Sequence, residues 1–257
     1  MALDDLRATV LAFAGALVLL ALACGGSLLL LDGGGTSSRP RLARTAPECL
    51  EPTACRRPSA ELLAAYGDAR ACDGTGKRIC LVPMGDVAKD LVDHLVDYYR
   101  REYDLDLRVL RPLTLQPGFD PGHPGQLEAS KLWGLMRAAY PAYAQDRSVV
   151  LIGLTPVDMY LATTPQWHWA FGQAYRLGNE PAFRHGVISY FRMDPSNYGL
   201  RPDTEKRNQR LRKMMNKYVA ITYYGMRMSS DPKSVLYDDI GGLDDLDRMN
   251  ERIPLPR

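Results

Sequence analysis

Four histidines stand in the chain, His94, His123, His168 and His185, and no two lie within five residues of one another. A helical zinc site of the H-E-x-x-H kind needs two imidazoles one turn apart on one face, so this spacing excludes it. His94 falls on a predicted helix near Asp90 and Asp97 and reads as part of a solvated polar face. His168, between Trp167 and Trp169, reads as a strand residue with its hydrogen bonding satisfied. His123 sits in a Pro/Gly loop and His185 beside Arg184, neither in a motif. Gly74-Thr75-Gly76-Lys77 is a partial phosphate loop, but Ala71 stands where its first glycine belongs and Arg78 where Ser or Thr belongs. A strand is predicted to follow, whereas phosphate capture needs a helix N-terminus there. No G-x-S-x-G occurs, so the nucleophile elbow of an α/β-hydrolase is unsupported.

Cysteine is the other chemistry-bearing residue. Setting Cys24 aside leaves Cys49, Cys55, Cys72 and Cys80, with 5, 16 and 7 residues between successive members. An even, clustered set is read most economically as two disulfides formed in an oxidising compartment. A four-cysteine zinc site is the rival, but tight C-x2-C knuckles are missing. Free thiols are the third reading, and the spacing leaves the pairing open.

The elements that must position these residues follow from periodicity. Ser59 is a predicted N-cap for a short helix, Ala60 to Tyr66, and Asp73 to Gly76 a turn. Ile79 to Val82 is a short buried strand stopped by Pro83. Val87 to Tyr103 has apolar residues at helical spacing. Leu107 to Leu110 is a strand, Gln116 to Pro124 a loop and Gln126 to Ala139 a helix. Ser148 to Leu154 is apolar throughout and therefore central. His168 to Arg176 and Gly186 to Arg192 are strands joined around Gly178-Asn179. Asp203 to Tyr224 is a long helix, with Asp203 or Thr204 as its cap and Leu211, Met214, Met215, Tyr218 and Ile221 inward. Gly225 stands at its C-cap. This order predicts an α+β fold with α/β-like order, a mixed twisted sheet packed with helices.

Composition narrows the function classes. The 257 residues are 46% hydrophobic and 24% charged, which suits a globular core. A net charge of +2 marks no nucleic-acid binder. Five cysteines are too few for a disulfide-built mini-fold. The run from Ala8 to Leu31 carries no charge. As a helix it would extend about 36 Å, enough to cross a hydrocarbon core of about 30 Å. It is read as a transmembrane or signal-anchor segment, retained, cleaved, or acylated at Cys24 after Ala21-Leu22-Ala23. Arg39, Arg41 and Arg44 after it favour a cytoplasmic side, whereas the cysteines favour an extracytoplasmic one. We expect a membrane segment at 1–31, a Pro/Gly/Cys-containing linker at 32–77 and a folded domain at 78–257, outside the cytoplasm.

Several segments between Arg78 and Asp247 together resemble the archaemetzincins, a metzincin branch of zinc metalloproteases. Leu81-Val82-Pro83-Met84-Gly85 is similar to the family's opening strand and turn. Val149 to Tyr160 is similar to its strand followed by D-V-D-L-Y, with Asp158 at the final Asp. Trp169-Ala170-Phe171-Gly172 resembles its F-V-F-G, and Val187 to Met193 its V-I-S-x-x-R-L. Arg210 to Met228 takes the place of the active-site helix, and Asp231 to Tyr237 that of N-P-x-C-V-M-Y, which contains the Met-turn.

The departure falls on the chemistry. The family's helix carries H-E-x-x-H-x-x-G-x-x-H, three zinc-binding histidines and a Glu that acts as general base. Aligned on Gly225 and DPKSVLY, Tyr218 stands at the first His, Val219 at the Glu, Thr222 at the second His and Met228 at the third. Ser229 and Ser234 stand where two cysteines hold a structural zinc, and Leu236 replaces the Met-turn methionine. Catalytic zinc needs three N, O or S donors and an open position. Tyr, Thr and a thioether are poor ligands for it, and Val has no donor. Without the metal no bound water is acidified, and without the Glu nothing takes its proton. The resemblance therefore implies a metzincin-like scaffold without a zinc cofactor, in which Tyr218, Ile221, Thr222 and Tyr224 fill the vacated volume. The expected role is a non-catalytic module that binds a peptide or protein by strand addition. The alternative is a hydrolase with a divergent site drawn from Lys217, Tyr218, Thr222, Asp158 and Arg192.

Overall fold

The computed structural model describes residues 57–115 and 122–255. The predicted membrane segment at 8–31, Cys24, Cys49, Cys55 and most of the linker lie outside the described residues. Among the described residues no helix is long and apolar enough to cross a membrane.

The chain runs α1 (Ala60–Ala65), β1 (Arg78–Pro83), α2 (Lys89–Tyr103), β2 (Leu107–Val109), β3 (Gln126–Glu128), α3 (Ala129–Ala139), α4 (Pro141–Gln145), β4 (Val149–Thr155), β5 (Asp158–Tyr160), β6 (Gly172–Arg176), β7 (Phe183–Ser189), α5 (Thr204–Thr222) and α6 (Leu243–Arg248). It is a mixed α/β fold around a mostly parallel five-stranded sheet, ordered β2-β1-β4-β7-β6. Every residue of β1 and β4 is buried, as expected for strands covered on both faces. β1 pairs with β4 in parallel from Arg78↔Val149 to Pro83↔Leu154. β6 is the antiparallel edge strand, paired with β7 from Gly172↔Ile188 to Arg176↔Phe183. Helices cover both faces. One core joins α2 and α5 to the sheet through Leu91, Leu95, Ile152, Ile188, Leu211 and Met215. The other joins α3 to it through Leu132, Met136, Leu151 and Val187.

The short helix before β1 starts as its cap residue predicts, with Ser59 Oγ accepting from Leu62 N at 3.2 Å. Leu62 is fully buried in the first core. Cys72 and Cys80 form a disulfide, with Cα atoms 6.1 Å apart and both side chains fully buried.

Three boundaries differ from the periodicity reading. The segment predicted as one helix from Gln126 begins as a strand, since Gln126–Glu128 pairs in parallel with β5 and the helix starts at Ala129. The strand predicted from His168 starts at Gly172, and the residues before it form a loop. The strand predicted from Gly186 to Arg192 instead spans Phe183–Ser189. Ser189 Oγ then donates to Val157 O at 2.7 Å, and Phe191–Met193 turns as a 3₁₀ helix.

α5 is the element on which the fold closes. Asp203 caps it, accepting from Lys206 N at 2.9 Å, and Gly225 past its end has φ +69°. Predicted inward residues are buried, but so is nearly every other position from Asn208 onward, because the C-terminal segment wraps its polar side. Arg210 meets Asp247 twice at 2.8 Å. Arg212 meets Glu251 at 2.6 Å. Asn216 donates to Glu251 O at 2.8 Å and accepts from Tyr99 at 2.7 Å. Partnered in this way, polar groups can be buried without the usual desolvation penalty.

Candidate functional site

α5 crosses the sheet at β7, and Tyr218 is the side chain that meets the strands. Gly172 on β6 and Gly186 on β7 lie under its ring. A Cβ at either position would fall inside van der Waals contact with it. Two glycines on neighbouring strands thus form the floor on which an aromatic ring lies, a requirement that no single strand pattern announces. Tyr218 is 4% exposed, and burial drives its hydroxyl far above the ordinary phenol range. That hydroxyl has no hydrogen-bond partner among the described residues, and Tyr218 lines an open cleft.

The other helix positions singled out by the sequence do different work. Val219 is fully buried. Thr222 Oγ1 donates back to Tyr218 O at 2.6 Å, so its proton is held inside the helix. Met228 lies beyond Gly225 and is 45% exposed at the rim. Among the described residues no three of His, Cys, Asp and Glu converge where a metal could bind. A phenol pressed on glycine, a valine, an internally bonded hydroxyl and an exposed thioether do not fit the donor set of a catalytic zinc.

The chain from Ser229 to Asp238 is tied by short polar links. Ser229 Oγ accepts from Asp231 N and Ser234 Oγ from Leu236 N, each at 3.1 Å. Ser229 N donates to Leu236 O at 2.9 Å, and Asp238 N to Ser229 O at 3.0 Å. The two serines therefore act as turn-forming side chains. Leu236 is buried in the core that contains Tyr218.

The cleft above Tyr218 has a volume of about 300 Å³. One wall is the approach to β6, Trp167 to Gly172, and the opposite rim is Asp238 to Gly241. Lys217 also lines it, with its ammonium donating to Tyr237 O. Burial pulls that amine down to about 8, against the opposing pull of Asp238. Past Tyr218 the groove continues beside β6 through smaller hollows lined by Phe183, Ile221 and Met228.

β6 offers this groove a free edge, since among the described residues only β7 pairs with it. The phase of the ladder is set by Ser189 N donating to Phe171 O at 2.9 Å. Antiparallel pairs alternate between bonded and non-bonded. Gly172 and Ala174 therefore turn their N–H and C=O groups away from β7.

A second cleft, of about 320 Å³, adjoins the first across His168. Asp158 lines it, 4% exposed. Arg192 clamps the carboxylate at 2.6 and 2.9 Å, and Gln126 Nε2 adds a bond at 2.9 Å. The Arg192 guanidinium also lies 4.6 Å from the centre of the Trp169 ring. Asp158 and Arg192 are a structural clamp behind the wall of the first cleft.

The histidines do not meet. Instead of facing solvent with two aspartates, His94 is half-buried, with Nε2 3.0 Å from Arg212. Burial, then Arg212, lowers its pKa. His123 stacks on Tyr160 at 3.7 Å. His168 is exposed in a bend, and it is its carbonyl that is bonded, by Gln126 at 3.0 Å. His185 is fully buried under Trp133, with ring centres 4.7 Å apart. Its Nδ1 accepts from Leu151 N at 3.2 Å, a role the sequence reading missed.

No protein-family profile matches the chain, and no curated protein does. Solved structures do. A crystal structure of archaemetzincin from Methanopyrus kandleri aligns with a TM-score of 0.52 at 24% identity, over 70% of this chain and 91% of that one. A zinc-dependent peptidase from Methanocorpusculum labreanum aligns with a TM-score of 0.54 at 20% identity, over 68% and 94%. This chain has an archaemetzincin-like fold.

Proposed function

We propose that this chain is a membrane-anchored, archaemetzincin-like protein that has lost its zinc-binding residues and holds an extended peptide without cleaving it. The observation that carries this is Tyr218 seated on Gly172 and Gly186, beside an edge strand that among the described residues pairs on one side only. A peptide laid along β6 would bond to Gly172 and Ala174 and place alternate side chains in the groove. Anchoring rests on the uncharged run from Ala8 to Leu31 and an extracytoplasmic domain on the cysteine set. The test is to purify the full chain in detergent and measure metal content, cleavage of a broad peptide library, and binding of the same peptides. Binding without cleavage, and without stoichiometric zinc, supports the reading. Cleavage with about one zinc per chain overturns it.

One observation favours a second reading, a hydrolase with a divergent site. Lys217, with its lowered amine, and the unpartnered Tyr218 hydroxyl line the same cleft. Peptide cleavage abolished by Lys217→Ala or Tyr218→Phe, with the fold retained, would establish it.

A further inference from the structure

The groove beside β6 changes character along its length. Toward Met228 it is mainly apolar, lined by Phe183, Ile221 and Met228 with Arg227 alongside. Toward Trp167 it is rimmed by Asp238 and Asp239, both exposed. Neither carboxylate forms a salt bridge among the described residues; Lys217, whose ammonium donates to Tyr237 O, attracts Asp238 from beyond ion-pair distance. Trp167 is 48% exposed on the same cleft, and among the described residues no cation stacks on it. Its neighbour Trp169 carries Arg192 at 4.6 Å. Tyr218 lines the same cleft, its side chain more than nine-tenths buried and its hydroxyl without a hydrogen-bond partner among the described residues. The oxygen is not sealed in the core, where among the described residues His185 Nε2 is the unsatisfied side-chain atom, so it is open to a donor from a ligand.

We propose that this end of the groove takes the side chain of an arginine or lysine from the bound peptide. The cation would stack on Trp167, face Asp238 and Asp239, and donate to the Tyr218 oxygen. Aromatic faces and carboxylates attract the same charge, and the opposite, apolar end of the groove would take an aliphatic side chain. This specificity rests on strand addition at β6.

The test uses the full chain in detergent and fluorescein-labelled peptides of alternating valine and threonine, with one central Arg, Gln or Glu. The Arg peptide is expected to bind about tenfold tighter than the Gln peptide, and the Glu peptide more weakly than either. In the Asp238→Asn/Asp239→Asn double variant the Arg-to-Gln ratio should fall to near unity, and Trp167→Leu should lower it by roughly threefold. Ala174→Pro, which removes an outward N–H without taking a bond from β7, should weaken every peptide. Equal binding of Arg and Gln peptides, with Ala174→Pro still weakening both, overturns the basic-residue assignment and leaves strand addition standing. An Arg preference that survives in the double variant also overturns it. No binding by any peptide overturns both.

Discussion

Two clefts share a wall at His168 and differ in how their polar groups are spent. In the one at Asp158, the carboxylate is clamped by Arg192 at 2.6 Å and by Gln126 at 2.9 Å. Both oxygens of that carboxylate are taken. In the one at Tyr218, neither the hydroxyl nor the two rim carboxylates are clamped in this way among the described residues. The first arrangement holds shape. It ties Gln126 of β3 to Asp158 of β5, and its arginine backs Trp169. The second is open to something from outside. Burial alone does not separate them, since Asp158 and Tyr218 are each 4% exposed. Hydrogen-bond satisfaction does.

That contrast can be broken by mutation. Arg192→Ala leaves Asp158 buried with one partner removed and should lower stability by about 3 kcal/mol, read from urea unfolding. An unchanged midpoint would mean that the clamp is ornamental. A comparable cost should come from acid, at His185 on the other face of the sheet. Burial lowers its pKa to about 4. Its Nδ1 accepts from Leu151, and near the Ala144 carbonyl its Nε2 finds no hydrogen bond of good geometry. The unfolded chain takes up this proton below its ordinary value of 6.5, which the folded site refuses until about 4. Its contribution is therefore complete above the unfolded value and is lost as pH falls through that window, up to about 3 kcal/mol. A stability profile that is flat between those values, or that His185→Asn fails to flatten, would count against it.

Smaller effects sharpen the open side. Gly186→Ala drives a methyl group into the Tyr218 ring and should cost about 1–3 kcal/mol. Tyr218→Leu in the same chain should return part of that, a coupling of roughly 1 kcal/mol in a double-mutant cycle. Additive costs would separate the glycine floor from the ring. Smallest of all, Tyr218→Phe should shift stability by less than about 0.5 kcal/mol, because the lost hydroxyl had no partner to leave behind. A loss above about 1.5 kcal/mol would mean that the hydroxyl is bonded after all.

Local signals in the sequence foretold elements more readily than sites. Ser59, Asp203 and Gly225 mark helix ends by their own chemistry, and the apolar run Val149 to Leu154 marks a central strand. Gln126–Glu128 reads as helix from periodicity because its strand partner, Asp158–Tyr160, stands 32 positions along the chain. The glycine floor was illegible for the same reason. Gly172 and Gly186 matter only once two strands and α5 are brought together. The order of motifs between Arg78 and Asp247 pointed to the fold, which the structural likenesses support. That resemblance drew attention to Tyr218, but it could not foresee an unpartnered hydroxyl over two glycines.

The most direct measurement is metal content and peptide occupancy on one preparation of the full chain. Titrate a labelled extended peptide into the purified protein with and without a strong chelator, and assay zinc in parallel. The account predicts saturable binding that the chelator leaves unchanged, with zinc well below one per chain and the peptide recovered intact. Chelator-sensitive cleavage with about one zinc per chain would contradict it.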